Sequence, residues 1–293
     1  MKELLRTVWT WGEMVKFSHS VFALPFALFS AFLAARPGRP SAGQLVLIVL
    51  AMVAARSAAM TFNRIADFKQ DCANPRTALR PLQRGSIRLR SAWVFLAISC
   101  AGFLVACGGF WHFYANPWPL RLALPVLAVL LLYSYAKRWT RFTHLALGAA
   151  IGLSAVAAWI AIRPEVPQLP AWLLMLAVLF WIGGFDVIYA CQDVEFDRRF
   201  GLRSLPAALG IGAALRLVRL FHVLTVLALI GVGVTAKLGA LYLVGVAAVA
   251  VLLVIENSLV SPDDLGRINV AFFAVNGFVS LIMAFLGMLD VLL

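Results

Sequence analysis

The chain has 293 residues, 63% of them hydrophobic and 13% charged, against about a quarter charged in a soluble domain. This composition, with a mean hydropathy of +0.93, excludes a water-soluble globular fold. The net charge of +12 would suit a nucleic-acid binder, but the placement of that charge removes nucleic acid from the partners.

Residues 1–16 carry Lys2, Arg6 and Lys16 among Glu3, Glu13, Trp9 and Trp11. They predict a short interfacial helix in place of a cleaved signal peptide. Nine spanning helices follow, at roughly 18–36, 43–66, 89–109, 120–137, 143–162, 171–192, 211–235, 238–256 and 270–291, each an apolar run able to cross a bilayer. The fold expected is all-α: a polytopic membrane protein, one embedded domain over residues 1–293, its helices bundled around a cytoplasm-facing cavity. With the N-terminus inside, 19 of the 25 Lys and Arg residues fall on the inner side. Five fall outside (Arg36, Arg39, Arg121, Arg163, Lys237), and Arg56 stays within a span. The positive-inside rule therefore places the N-terminus in the cytoplasm and the chain in the cell's inner membrane.

The second and sixth spans then end on the same inner side. At the second, Asn63, Asp67 and Asp71 lie four residues apart, which stacks them on one helix face with Arg56 two turns earlier. A basic loop follows, with Lys69, Arg76, Arg80, Arg84, Arg88 and Arg90. The sixth span ends with Asp186, Tyr189, Asp193 and Asp197, again in steps of three and four. Glu195 and Arg198 lie off that face. Carboxylates at membrane depth are costly and point to function. At the inner end of the fourth span, YSYAKR (133–138) sets Tyr133 and Lys137 one turn apart.

Oxygen ligands ending in a cluster of cations suit a magnesium–diphosphate group, with carboxylates for the metal and Arg and Lys for the phosphates. Loss of an allylic diphosphate leaves a carbocation, for which Tyr133, Tyr135, Tyr189 and Phe185 offer π-faces. A long isoprenoid tail would enter sideways from the membrane lipid.

Other features read as scaffold. Gly148 and Gly152 form a close-packing motif. Trp111, Tyr114 and Trp118 form an interfacial belt. Cys72, Cys100, Cys107 and Cys191 read as buried apolar residues. His112 and His222 read as packing or interfacial residues, Asp263 and Asp264 as a turn, and Asp290 as solvated. Lys16 and His19 sit at the inner mouth of the first span, with no role assigned.

NRIADFKQD (63–71) and DVIYACQDVEFD (186–197) match the NxxxDxxxD and DxxYxxxDxxxD motifs, and the chain resembles the UbiA-type membrane prenyltransferases over essentially its whole length. FSHSVFALPFALF, YSYAKR and QDVEFDRRFGLRSLPAALG resemble most the branch acting on quinone precursors, such as the 4-hydroxybenzoate polyprenyltransferases. The resemblance implies Mg²⁺-dependent transfer of a polyprenyl group from polyprenyl diphosphate to a small aromatic carboxylate acceptor, in ubiquinone or menaquinone formation. It implies Asn63, Asp67, Asp71, Asp193 and Asp197 as metal ligands. It also implies Lys137 and Tyr133 beside the reacting diphosphate, and Lys69, Arg76, Arg80, Asp186 and Tyr189 around the substrates. Arg56 falls to the acceptor carboxylate. Gln192 and Glu195 enrich the second motif beyond the bare pattern. A dihydroxynaphthoate acceptor fits the same residues. An ion-coupled transporter would also bury carboxylates, but at the bilayer midplane on broken helices. A CDP-alcohol phosphotransferase would need a DG…AR…GxxxDxxxD pattern that is absent.

Overall fold

The computed structural model describes residues 9–16 and 20–293, and these contain helices and turns without a strand. Residues 9–14 are helical, as expected of the interfacial segment. Its first eight residues, His19 and the start of the first expected span lie outside the described residues.

The helices in chain order are α1 (Ser20–Ala35), α2 (Ala42–Ala66), α3 (Phe68–Ala73), α4 (Leu89–Tyr114), α5 (Trp118–Leu132) and α6 (Ala136–Trp139). After them come α7 (Thr143–Ile162), α8 (Leu169–Ala190), α9 (Val194–Phe200), α10 (Leu205–Leu209), α11 (Ile211–Ala236), α12 (Ala240–Ser258) and α13 (Asn276–Leu292). Among the described residues eight helices are long and apolar enough to cross a membrane, and α1 is a shorter apolar helix. The count of nine expected spans is thus eight plus one short one. Large apolar side chains such as Val105, Leu124, Val234 and Val254 remain exposed, as a lipid-facing surface requires.

The chain divides into two compact units. One is formed by the segment up to Ser20 together with Val49–Tyr135. Its core joins Ala55 and Ala58 of α2 to Leu96 and Phe103 of α4 and to Leu127 of α5. The other unit is Val21–Ile48 with Ala136–Leu293. Its core gathers Phe26 and Phe29 of α1, Trp159 of α7, Trp181 of α8, Tyr242 of α12 and Met283 of α13. The span containing α8 is the most enclosed of the eight, with 61% of its apolar window buried.

Glycines let α7 approach α8. A Cβ on Gly148 would overlap the Leu179 carbonyl oxygen, and one on Gly152 would stand 2.7 Å from the Met175 oxygen. The close-packing reading of these glycines is borne out by the geometry. At the other end of the second unit, Asp290 is not simply solvated. Its carboxylate accepts from the Gly239 N–H (2.7 Å) and the Tyr242 N–H (3.2 Å), closing the open N–H groups at the start of α12. Cys107 and Cys191 are buried as expected, whereas Cys72 is exposed on α3, because the short helix leaves the apolar span behind. The Asp264 turn forms as read, with Oδ1 accepting from the Gly266 N–H at 2.8 Å.

Gly148→Ala is expected to cost about 1–3 kcal/mol through overpacking and to lower the thermal midpoint in detergent. Gly108→Ala, whose Cβ would meet nothing within 4 Å, is the control and should hold or raise it.

Candidate active site

The first acidic cluster is built by a break between α2 and α3. The hydrogen bonds from the Asp67 N–H to the Asn63 oxygen (3.0 Å) and from the Asp71 N–H to the Asp67 oxygen (2.8 Å) run through it. The four-residue stacking read from the sequence therefore survives, and the Asn63 side-chain N–H donates to Asp67 Oδ2 at 3.1 Å. Asp67 starts α3 at φ −97, ψ 9, and its side chain accepts no cap hydrogen bond. That backbone region is sparsely occupied and recurs at active sites.

Asp71 is buried, and every described partner of its carboxylate meets Oδ2. Arg80 donates at 2.6 Å, Gln83 at 3.3 Å, and Arg64 stands at 3.8 Å. The loop that brings Arg80 back is itself pinned. The Thr77 hydroxyl donates to the Asp71 carbonyl (2.9 Å), the Arg76 N–H donates to Asn74 Oδ1 (3.0 Å), and Leu82 and Ile87 pack on Met14 and Ala92. Arg64, Gln83 and the pinning residues are absent from the sequence reading. Arg64 stands next to Asn63 within the motif, and its burial is what sets it apart from a loop cation.

Arg56 is half-buried and donates one N–H to the Lys16 carbonyl at 3.2 Å, while its Nε is buried without a partner among the described residues. Tyr133 lies within electrostatic reach of both Arg56 and Arg64. Lys69 and Arg76 are exposed. Lys69 stands two residues beyond Asp67, in the first turn of α3. Lys16 joins this cluster. Burial, then repulsion from Arg64 and Arg80, holds its ammonium below the usual lysine range, with Glu13 opposing in part.

The second cluster sits where α8 passes through a 3₁₀ turn (Cys191–Asp193) into α9. Asp193 repeats the Asp67 conformation, at φ −106, ψ 8, again without a side-chain cap bond. Asp197 Oδ2 accepts from the Ser204 hydroxyl at 2.7 Å, and that Ser204 also caps α10. Asp186 Oδ2 meets His144 Nδ1 at 2.7 Å, a contact 42 residues apart that no local spacing announces. Tyr189 is half-buried, its ring centroid 4.4 Å from that of Phe272. Phe185 lies in the core at 3% exposure. Glu195 and Gln192 are exposed. Lys137 is half-buried, its carbonyl accepting from the Arg203 N–H at 2.7 Å. A cavity of about 480 Å³ lies beside Asp197, with Trp139, Arg141, Phe142, Arg198 and Arg203 in its wall.

The donor chemistry of both clusters is carboxylate and amide oxygen. Among the described residues no three His, Cys, Asp or Glu side chains converge into a ready cage. Asn63 Oδ1 and Asp71 Oδ1 hold no hydrogen bond among those residues. A few hard oxygens of this kind fit Mg²⁺, which takes one or two carboxylates and completes its shell with water and phosphate oxygens.

These features define a multi-pass, all-helical membrane protein with two acidic helix breaks, the first of them ringed by cations. The UbiA prenyltransferase family model matches residues 23–282, and the chain belongs to that family. The 4-hydroxybenzoate octaprenyltransferase of Pseudomonas aeruginosa (strain LESB58) is 33% identical over 229 residues, covering 78% of this chain and 75% of that one. The enzyme of the same name from Francisella tularensis subsp. novicida (strain U112) is 27% identical over 263 residues, 89% of each chain. Among solved structures, an apo UbiA homolog from Aeropyrum pernix K1 is similar with a TM-score of 0.83 and 34% identity, covering 93% of this chain and 98% of its own. A UbiA homolog from Archaeoglobus fulgidus bound to GPP and Mg²⁺ shares the fold, with a TM-score of 0.72 and 20% identity over 97% of this chain and 99% of its own.

The crowding of Lys16 by Arg64 and Arg80 is relieved by a bound anion. Lys16→Met is expected to weaken inorganic pyrophosphate binding near pH 7 by about fivefold, on the order of 1 kcal/mol. The difference from wild type should shrink as pH rises through the lowered Lys16 pKa, because the neutral amine brings no charge. Titration calorimetry of both proteins at neutral and alkaline pH reads it.

Proposed function

We propose that this protein transfers a polyprenyl group from its diphosphate to the ring of a 4-hydroxybenzoate-type aromatic acid, the step that supplies a prenylated quinone precursor. The observation that carries this reading is Asp71, clamped on one oxygen by Arg80 at 2.6 Å on the same helix face as Asn63 and Asp67. That face pairs metal-type oxygens with diphosphate-type cations. The enzymes named 4-hydroxybenzoate octaprenyltransferase, to which the chain is 27–33% identical, support the acceptor class.

Asn63, Asp67 and Asp71 would hold Mg²⁺ at the first cluster, and Asp193 and Asp197 at the second. The metal, when bound, neutralises charge on the departing pyrophosphate. Arg64, Arg80 and Lys16 add fixed positive charge where the pyrophosphate develops its own, which lowers the barrier to breaking the allylic C–O bond. The electron pair leaves with pyrophosphate. The acceptor ring then forms the new C–C bond ortho to its hydroxyl and loses the proton at that carbon. Arg56, with its buried unpartnered Nε, receives the acceptor's carboxylate and so orients the ring. Tyr133 stands near Arg56 and Arg64, where a π-face helps an allylic cation. The excess of Lys and Arg in the loops on one side supports a site on the cytoplasmic side of the inner membrane.

Asp67→Asn and Asp193→Asn are each expected to lower turnover by at least about 100-fold at unchanged expression and thermal midpoint. The assay is magnesium-dependent pyrophosphate release by purified protein given polyprenyl diphosphate and acceptor. Near-wild-type rates in both variants remove the metal assignment; wild-type protein that releases no pyrophosphate here points to transport, or to phosphotransfer if it releases CMP when a CDP-lipid is supplied.

Arg56→Ala is expected to raise KM for 4-hydroxybenzoate by about tenfold or more, the worth of a charge-assisted hydrogen bond. A phenol without the carboxylate should be unaffected. Assayed with dihydroxynaphthoate in the same panel, the wild-type protein also reveals which ring system it prefers. Equal losses for acids and phenols would refute the carboxylate role.

A further inference from the structure

The second cluster contains a residue that spacing gave no reason to choose. His144, in the first turn of α7, is 3% exposed, and its Nδ1 lies 2.7 Å from Asp186 Oδ2. Its Nε2 is buried with no partner among the described residues. A carboxylate oxygen can only accept here, which makes Nδ1 the donor. Nδ1 carries the proton and donates it to the carboxylate, while Nε2 is a bare acceptor, which costs less to bury unpaired than an N–H would.

The approach is built into the backbone. A Cβ on Gly183 would come within 2.9 Å of the end of the Leu145 side chain and 3.5 Å of the His144 carbonyl, so the start of α7 packs closely on α8 at this level. Asp186 then stands out among its neighbours. Phe185, Val187 and Ile188 are 3%, 0% and 1% exposed, yet the Asp186 side chain is 27% exposed. Its one described contact falls on Oδ2, which leaves Oδ1 without a described hydrogen bond. His144 is also within electrostatic reach of Asp197, which places it at the edge of the second acidic cluster.

We propose that His144 is a positioning residue of the prenyl-transfer site. Its Nδ1–H pins Asp186 in one rotamer and so presents Asp186 Oδ1 to the hydroxyl of the aromatic acceptor. This rests on the function proposed above, and it adds a named support on α7 for the acceptor side of the reaction. A carboxylate left to swing between rotamers would bind the hydroxyl in several geometries, and alignment of the reacting ring carbon is where small displacements are expensive.

The test uses the purified full chain with Mg²⁺, polyprenyl diphosphate and 4-hydroxybenzoate. His144→Phe keeps the ring's bulk and removes the donor. His144→Asn puts an amide N–H at about the place of Nδ1. His144→Phe is expected to lower kcat/KM for the acceptor by about 10- to 100-fold while KM for the prenyl diphosphate stays within about twofold. His144→Asn should recover to within about threefold of wild type. In an Asp186→Asn background, His144→Phe should add no further loss, since there is no carboxylate left to hold. Thermal midpoints of all variants are read alongside. Overturning results are an asparagine no better than phenylalanine at equal stability, a loss that falls on the diphosphate, or additive losses in the double variant. Wild-type protein that prenylates no aromatic acceptor overturns the function itself. Wild-type transfer with failed rescue overturns only the role of His144.

Discussion

A carboxylate at the end of an apolar helix must be met by a donor or a cation, because the lipid offers it nothing. This protein meets that need in a uniform way. Asp71 takes Arg80, Gln83 and Arg64 on Oδ2, Asp186 takes His144 on Oδ2, and Asp197 takes Ser204 on Oδ2. In each case the described partners of the carboxylate occupy one oxygen. The protein thus satisfies enough of each group to keep it folded in place, and leaves the second oxygen to whatever binds. A group satisfied on both oxygens would be stable and useless as a ligand.

The backbone prepares the same outcome twice. Asp67 and Asp193 both open a short helix just after a break, at φ −97, ψ 9 and φ −106, ψ 8. An aspartate at that position commonly caps the helix by accepting a backbone N–H, and neither does. The break turns each carboxylate out of the ladder without destroying the four-residue stacking. At the first cluster that stacking is visible in the bonds from Asp67 to Asn63 and from Asp71 to Asp67. The two spans differ in most of their residues, yet the helix break is the same in both.

This division also explains what was legible in the sequence. Positions four apart on a helix face each other whatever the tertiary structure, so Asn63, Asp67 and Asp71 could be grouped by counting alone. The spans could be placed because apolar length is itself the signal. Contacts made through loops or between helices carry no such period. Arg80 reaches Asp71 only because Thr77, Asn74, Leu82 and Ile87 fold the loop back. His144 reaches Asp186 from another helix, 42 residues away in the chain. Asp290, close to the C-terminus, looked solvated because nothing near it in sequence needs a carboxylate, while the open end of α12 does.

One further acid is purely architectural. Glu256 is 0% exposed near the end of α12, and its Oε1 accepts from Asn276 at 2.8 Å. His222 lies 3.8 Å from Oε2. Asn276 in turn donates to the Ala271 carbonyl at 2.9 Å, at the π-helical turn that precedes α13, and accepts from the Trp181 indole N–H. A π turn misaligns backbone carbonyls, and a buried amide that answers one of them, while joined to a carboxylate and an indole, ties α12, α13 and α8 at one point. No ligand reaches Glu256 in that enclosure, so its polarity acts on the packing of the second unit. Five residues along α8 from Trp181, Asp186 has the same kind of partner and an open side. The difference between the two acids is their exposure: Glu256 is sealed at 0%, while the Asp186 side chain keeps 27% of its surface open.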